Sequence, residues 1–364
     1  MKRRKDNPKS ILDLSLADGE QVFIEIGQPE YRARQVFSWI FDKHVVEWND
    51  MSNLPLRLRE QLASEWAIIT SKVEKIQKSK DGTTKLLIRL FDGEAIESVL
   101  IPEESRNTVC LSTQVGCPIG CSFCASGKGG LTRNLSSGEI LEQILHIFIV
   151  LPSGGSIRNV VLMGMGEPMK NYDSVMRAVR AMNAPWGFGI GARRITVSTI
   201  GDIKGIERLS KEKLQVNLAI SLHGPDDQTR SKIVPANKVP PVSRVAEAAR
   251  NYFAETGRKV TFEYVLIDGI NSSVRHARML TQRVKGFPCF VNLIPLNAVA
   301  GLSLKSPDKR SIRRFLFELE RMGIPAAIRA SRGSDISAAC GQLAGNGDER
   351  STDRPGSRSK KKGS

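Results

Sequence analysis

Hydrophobic and polar positions change their period several times along this chain of 364 residues. Within residues 28–70, apolar side chains such as Val36, Phe37 and Ile40 recur at helical spacing, which predicts a small helical unit. Residues 84–101 alternate instead around an Asp-Gly pair, which predicts a short β-hairpin.

From about residue 108, short buried strands alternate with amphipathic helices. Strands are predicted over 108–113, 159–164, 194–199, 216–222, 260–267, 289–296 and 326–330. Helical patterns lie between them, for example over 136–150, 173–182 and 308–322, and Ser136 or Ser137 caps the first, with Glu139 in its first turn. Repeated β–α units predict a parallel sheet, and six units are too few for a complete eight-fold barrel. The expected fold class is therefore α/β, a partial (β/α)6 barrel whose site lies at the carboxyl ends of its strands.

These patterns divide the chain into four parts. Residues 1–27 are expected to be a basic, partly disordered segment, and residues 28–83 a helical accessory domain. Residues 84–344 are predicted to form the β/α domain with its hairpin, and residues 345–364 a disordered basic tail.

The formal net charge is +16, from 54 basic and 38 acidic side chains. The ends, 1–10 and 345–364, contribute only +4 and +3, so the body of the chain is basic in its own right. This excess favours a polyanionic partner, most simply nucleic acid, over a basic surface without such a partner. Candidate phosphate contacts are Arg57, Arg59, Lys204, Arg313, Arg314 and Lys360–Lys362.

Six cysteines are too few for a disulfide scaffold and suit a reducing cytosol. The longest apolar region, residues 140–151, is too short and too polar to span a bilayer. We therefore expect a soluble cytoplasmic protein.

Cys117, Cys121 and Cys124 stand in one short run with the spacing C-x3-C-x2-C. Three thiolates can hold a four-iron, four-sulfur cluster and leave one iron open to a substrate. A zinc site usually shows a second pair of Cys or His downstream, and no such pair follows here. The pattern favours the cluster over zinc or ordinary core cysteines.

Three groups follow the carboxyl ends of predicted strands, where they would face one cavity that suits a ribose, an adenine and an amino-acid moiety. They are Ser198, then Ser221 with Leu222 and His223, and Asn297. A single strand-end serine or asparagine more often forms a turn, so the argument depends on the set.

Gly166 and Glu167 stand in MGMGEP at the end of another predicted strand. Gly166 allows close backbone approach to a ligand, and Glu167 could accept from an ammonium group. The alternative is a strand-to-helix turn with an exposed carboxylate.

Two further cysteines suit redox chemistry. Cys110 lies inside a predicted strand, and Cys340 lies among small residues near the end of the ordered chain. Brought together by folding, they could cycle between dithiol and disulfide, although spacing alone favours two unrelated buried cysteines. Glu94, Glu97 and Glu103 are candidates for a general base, and the pattern does not choose between them.

The motifs C-x3-C-x2-C, MGMGEP, VST, AISLH, NLIPLN and RxxxGxDIxAACGQL occur in this order between residues 28 and 344. In them the chain resembles the bacterial dual-specificity RNA adenine-C2 methyltransferases of the radical S-adenosylmethionine superfamily (RlmN type). The resemblance implies a radical-SAM barrel.

The resemblance also assigns roles to residues. The ligands of a [4Fe-4S] cluster would be Cys117, Cys121 and Cys124. S-adenosylmethionine, used twice per turnover, would be bound by Gly166, Glu167, Ser198, Ser221, Leu222, His223 and Asn297. Cys340 would carry a transient S-methyl group, Cys110 would be its disulfide partner, and Glu97 would be the proton acceptor.

The implied substrates are one adenosine of 23S ribosomal RNA near the peptidyl-transferase centre and the adenosine next to the anticodon in some transfer RNAs. An electron donor such as a flavodoxin would reduce the cluster, and a monomer without membrane contact is expected. One alternative is the sister family that methylates C8 of the same ribosomal adenine (Cfr type). Another is a non-catalytic iron–sulfur RNA-binding protein, which would need neither Cys110 nor Cys340.

Overall fold

The chain begins with a small helical unit. The computed structural model describes residues 9–104, 106–152 and 154–345. After a 3-10 turn at Ile11–Asp13, the helices are α1 (Leu16–Glu25), α2 (Tyr31–Phe41) and α3 (Leu56–Glu65). The apolar positions predicted for α2, Val36, Phe37 and Ile40, are all buried, because their spacing places them on one face of the helix.

The helical unit begins earlier than expected. Helix α1 lies within the segment 1–27 that was expected to be partly disordered. Ser15 caps it, with Asp18 completing the capping box, and Phe23 anchors it in the core. Residues 1–8 and 346–364, which include Lys360–Lys362 and all but one residue of the expected tail, lie outside the described residues.

Three antiparallel strands follow, β1 (Lys72–Lys78), β2 (Thr84–Arg89) and β3 (Ala95–Glu103). The pairing of β2 with β3 around the Asp-Gly turn confirms the predicted hairpin. Strand β1 was not predicted and lies within the range 28–83 assigned to the helical domain. The helices of the N-terminal unit therefore end before residue 72, and β1 belongs to the sheet that follows.

The remaining chain alternates strands and helices. The first strand of the repeat is β4 (Arg106–Cys110), and a small antiparallel pair follows, β5 (Gln114–Gly116) and β6 (Leu131–Asn134). The later strands are β7 (Ile157–Leu162), β8 (Ile195–Thr199), β9 (Asn217–Ser221), β10 (Val260–Leu266), β11 (Cys289–Pro295) and β12 (Ala326–Ile328). The helices are α4 (Ser137–Val150), α5 (Tyr172–Asn183), α6 (Ile203–Ser210), α7 (Asp227–Arg230), α8 (Val242–Thr256), α9 (Val274–Val284) and α10 (Lys309–Arg321).

Ten strands form one sheet in the order β1-β2-β3-β4-β7-β8-β9-β10-β11-β12. From β4 to β12 all neighbours are parallel, and six helical connections join these seven strands. Within the described residues β1 and β12 do not pair, so the barrel is open on one side. This confirms the partial barrel with a helical N-terminal unit and a hairpin extension.

Helix α4 follows the β5–β6 pair and starts at the cap that the sequence left between two serines. Ser136 is the N-cap, and its side chain accepts from the backbone N–H of Glu139, whose carboxylate accepts from the N–H of Ser136. Arg133 donates to both oxygens of Glu139 at 2.8 Å. None of the helices in the described parts is long and apolar enough to cross a membrane.

Helix α4 also holds the connection between the helical unit and the sheet. Its buried Glu142 accepts hydrogen bonds from the backbone N–H groups of Thr70 and Ser71, at 2.9 and 3.0 Å, and from both of their hydroxyls. His146, one turn further along, lies 2.9 Å from the Ser71 hydroxyl. These bonds fix the connecting segment against the barrel.

Candidate active site

A cleft of about 910 Å³, mouth included, opens at the carboxyl ends of the barrel strands. The polar groups predicted at strand ends meet there, because parallel strands end at the same edge of a sheet. From the predicted set, the cleft is lined by Cys117, Cys121, Cys124, Gly166, Glu167, Ser198, Ser221, His223, Asn297 and Cys340.

The three closely spaced cysteines lie on a tight loop closed by the β5–β6 pair. Gly116 has φ +76°, and a Cβ there would lie 2.0 Å from the carbonyl oxygen of Gly130. A Cβ on Gly127 would lie 2.7 Å from the Cα of Gly120. Only glycine permits these approaches, so the loop holds its thiols in one compact turn.

Burial and mutual repulsion act on the three thiols together. Burial, reinforced by charges on Cys124 and Glu167, raises the pKa of Cys117 to about 11. The pKa of Cys121 is raised by burial and by its two cysteine neighbours, and that of Cys124 is raised mainly by burial. Thiolates here therefore require a bound cation.

The donor set fits an iron–sulfur cluster better than a single metal ion. In the described residues no three His, Cys, Asp or Glu side chains are close enough to hold one ion. Three thiols that line one cleft but do not converge on a point suit a larger, polynuclear group with cysteine ligands.

Gly166 and Glu167 lie just beyond β7. Gly166 has φ +108°, and a Cβ there would lie 2.8 Å from side-chain atoms of Thr113 and Gln114. Glu167 accepts from the backbone N–H of Ile200 at 2.8 Å and of Met169 at 3.2 Å. Burial raises the pKa of Glu167 to about 7, although these hydrogen bonds oppose the rise. The pair fixes the wall of the cleft between β7 and β8.

His223 follows β9 with φ +57°, a conformation that is strained for a residue with a side chain. Its Nδ1 accepts from the backbone N–H of Val265 at 3.1 Å, and its ring contacts Phe123 of the cysteine loop edge to face. Burial, reinforced by Arg230, lowers the pKa of His223 to about 3, so the ring is neutral. A neutral ring can bind an adenosyl group without repelling a sulfonium.

Leu222 is the one predicted cofactor residue whose side chain does not line the cleft. It is fully buried in the core, and its backbone N–H donates to the Glu263 carbonyl at 3.0 Å. Any contact with a ligand there would come from its backbone.

A second cavity adjoins the first and contains both predicted redox cysteines. It is lined by Cys110 from the end of β4 and by Cys340, which also lines the first cleft. The two thiols are free, with Cys110 buried and Cys340 exposed. Burial, reinforced by a charge on Cys340, raises the pKa of Cys110 to about 12. Cys340 thus stands where the two cavities meet.

Arg329 and Glu263 were missed by the sequence analysis. Arg329 lines both cavities, and its Nη1 lies 3.8 Å from Oε2 of Glu263, at the floor of the cleft. The charge of Cys340, more than that of Glu263 or Cys110, raises the pKa of Arg329. Arg329 is the first residue of the motif RxxxGxDIxAACGQL, and this position could have marked it as a site residue.

Glu97, predicted as the proton acceptor, lines neither cavity. It is buried on β3 in an ion pair with Lys85. The other two carboxylates left open by the sequence, Glu94 and Glu103, also differ in position: Glu103 lines the second cavity, while Glu94 precedes β3 at the hairpin turn.

The candidate phosphate contacts within the described residues lie on three helices. Arg57 and Arg59 are on α3, and the Arg59 Nη1 donates to the Asn49 carbonyl at 2.5 Å. The exposed candidates on the other two helices are Lys204 on α6 and Arg313 and Arg314 on α10. Their contacts with a nucleic acid stay predictions.

The cleft and the fold define a class. Residues 111–279 match the family model of the radical SAM superfamily. Residues 9–68 match a second model, described as the ribosomal RNA large subunit methyltransferase N-terminal domain.

Comparisons over the whole chain identify the family within this superfamily. A probable dual-specificity RNA methyltransferase RlmN of Geobacillus kaustophilus is 45% identical over 92% of both chains. A protein of the same name from Thermus thermophilus is 47% identical over 86% of this chain and 89% of its own. The crystal structure of a radical SAM methyltransferase from Sphaerobacter thermophilus, 46% identical, superposes with a TM-score of 0.91 over 93% of this chain and all of that one. The chain belongs to the RlmN family of radical SAM methyltransferases.

Proposed function

We propose that this chain methylates carbon 2 of an adenine base in both ribosomal and transfer RNA. Its relatives are named dual-specificity RNA methyltransferases. The observation that carries the proposal is the position of Cys340, which lines the cleft of the three cysteines and also the cavity of Cys110. A thiol at this junction can take a methyl group on one side and present it on the other.

The chemistry of the target carbon explains why a radical cofactor would be needed. Carbon 2 of adenine lies between two ring nitrogens and is too electron-poor to displace a methyl group from a sulfonium. A bound [4Fe-4S] cluster supplies the low-potential electron that opens a radical route through S-adenosylmethionine. Cys117, Cys121 and Cys124 would hold that cluster, and the reaction would use two molecules of S-adenosylmethionine per turnover.

The cleft binds and orients the cofactor. Gly166 would allow close backbone approach, and Glu167 would accept from the cofactor's ammonium group. The ribose and adenine would be bound by Ser198, Ser221, the backbone of Leu222, His223 and Asn297. Cys340 would carry the methyl group on its sulfur. Attack of the Cys110 thiolate on that sulfur would break its bond to the carbon joined to the base, so that the electron pair of that bond leaves with the product and a Cys110–Cys340 disulfide remains. Glu97 accepts the proton that leaves the base.

The RNA is bound through its backbone, with the target base extruded from its stack. The excess of basic residues supplies the long-range attraction. The helical unit and the exposed arginines of α3 and α10 contact phosphates. A flavodoxin-type donor reduces the protein, which acts as a monomer in the cytoplasm.

Two measurements test the proposal. Anaerobically purified protein should contain iron and, with S-adenosylmethionine, a reductant and ribosomal RNA, should form 5′-deoxyadenosine and 2-methyladenosine. Nucleoside mass spectrometry of ribosomal and transfer RNA from cells with and without the protein then identifies the product in both RNA classes. Detection of 8-methyladenosine would replace carbon 2 by carbon 8, and RNA binding without 5′-deoxyadenosine would exclude an enzyme.

A further inference from the structure

Lys85 and Glu97 form a buried ion pair between the hairpin strands β2 and β3. The Lys85 Nζ lies 2.9 Å from Oε1 of Glu97, and the two side chains are only 4% and 3% exposed. Removing two charges from water is costly, and the cost is offset only where further hydrogen bonds satisfy both groups. The partners of this pair therefore indicate what it is for.

Within the described residues, the further hydrogen-bond partners of the two side chains belong to one segment, residues 337–345, which we call the thiol loop because it carries Cys340. At its start, the carbonyl oxygen of Ser337 accepts from Lys85 at 3.1 Å. At its end, the backbone N–H groups of Ala344 and Gly345 donate to Oε2 of Glu97 at 2.7 and 3.2 Å. One ion pair thus fastens both ends of the thiol loop.

The turn that leads into β2 supports the same region. The Ser79 hydroxyl donates to Oδ1 of Asp335 at 2.6 Å, and Oδ2 of Asp81 accepts from the backbone N–H of Gly333 at 2.9 Å. The antiparallel strands β1–β3 and their connecting turn contribute no residue to the first cleft. They instead support the thiol loop and the residues just before it.

While the thiol loop is held in this way, both oxygens of the Glu97 carboxylate are engaged. Oε1 of Glu97 faces Lys85 and Oε2 accepts two backbone N–H groups, so neither oxygen is directed into a cavity. Release of the loop's end would remove both donors from Oε2 and leave Oε1 paired.

We infer that Lys85 is a positioning residue whose pair with Glu97 couples the opening of the thiol loop to the exposure of the proton acceptor. This inference rests on the proposed function. When Ala344 and Gly345 leave, Oε2 of Glu97 becomes free to form an O–H bond with the proton from carbon 2, whose C–H electron pair stays on the base. Lys85 holds the other oxygen, so the carboxylate keeps its place.

The test compares three variants of the full-length, anaerobically prepared protein. Lys85→Met removes the charge, Lys85→Arg retains it, and Lys75→Met is a matched control at an exposed position of β1. Hydrogen exchange of the thiol loop reports its fastening independently of turnover. RNA methylation and 5′-deoxyadenosine formation are measured on the same samples.

In Lys85→Met we expect exchange of the thiol loop to rise by about tenfold or more, with the other strands unchanged. RNA methylation should fall by about tenfold, while 5′-deoxyadenosine still forms. Lys85→Arg should recover most of both losses, and Lys75→Met should match the wild type. Exchange and methylation equal to the wild type in Lys85→Met would overturn the inference.

A second variant keeps the test decisive if Lys85→Met does not fold. Ala344→Pro removes one N–H donor to Glu97 and leaves the ion pair, so exchange should rise at the end of the thiol loop. Unchanged exchange there would also overturn the inference. A wild-type protein that yields no methylated RNA refutes the proposed function instead, because loop exchange does not depend on turnover.

Discussion

The Asn297 side chain donates a hydrogen bond of 3.0 Å to the backbone carbonyl of Cys340. Asn297 lines both cavities, as Cys340 does. The residue expected to contact the cofactor therefore also sets the position of the thiol expected to receive its methyl group. Geometry at this point matters, since small displacements of reacting atoms cost large factors in rate.

Replacing Cys340 by alanine should abolish RNA methylation while iron loading is retained, because Cys340 is not among the three closely spaced thiols. The measurement is methylated adenosine by mass spectrometry beside iron content. Cys289→Ala is the matched control, since Cys289 is buried away from both cavities. Normal turnover of Cys340→Ala would remove Cys340 from the reaction.

Replacing Cys110 by alanine should trap a covalent protein–RNA adduct, because the thiol that releases the product is absent. The adduct is measured on a denaturing gel with labelled RNA. In the wild type, release should accelerate with rising pH, since burial raises the pKa of Cys110 to about 12 and the thiolate is the attacking form. Free product alone from Cys110→Ala would show that another group performs the release.

Gly166→Ala should weaken binding of S-adenosylmethionine by about tenfold or more, because the new methyl group would overlap Thr113 and Gln114 in a left-handed backbone conformation. Equilibrium dialysis with labelled cofactor measures the change. Gly191→Ala is the control, since its nearest neighbour would be 4.0 Å away. Equal affinity of the two variants would place the cofactor elsewhere.

Glu167→Gln should change the pH dependence of folding. Burial raises the pKa of Glu167 from its ordinary value of 4.5 to about 7 in the fold, so its protonated form is favoured in the native state. The native state therefore loses stability relative to the unfolded chain as pH rises from 4.5 to 7, by about 1.4 kcal/mol per pH unit at most.

Chemical denaturation of the metal-free variants at pH 5 and pH 8 measures this effect. The free energy of unfolding of Glu167→Gln minus that of the wild type should be larger, meaning a relatively more stable variant, at pH 8 than at pH 5. The same difference at both pH values would mean that Glu167 titrates normally in the folded protein.

The sequence predicted those elements whose own residues determine them. The strands of the barrel are short apolar runs, and Ser136 with Glu139 forms a local capping box. Both the strands and the start of α4 could therefore be predicted from nearby residues alone. Strand β1 was missed because it is an edge strand in which Lys72, Glu74 and Lys75 are exposed. Charged residues are common on edge strands, and they remove the apolar alternation by which a strand is recognised. Helix α1 was missed because Gly19 and Asp18 interrupt its apolar pattern.

For the site, the motifs indicated which residues converge but not how they are held. The ten cleft-lining predictions are brought together by strand ends, which sequence order specifies. The carboxylate of Glu97 accepts from the backbone N–H of Ala344, 247 positions away in the chain, and Arg329 pairs with Glu263 on strand β10. Such long-range neighbours have no local signature.

The four hydrogen bonds from Thr70 and Ser71 to Glu142 have a consequence for substrate choice. They tie the segment that follows the helical unit to helix α4 of the barrel. If the helical unit contacts RNA as proposed, it cannot move independently of α4, and an RNA substrate must match the spacing between the two.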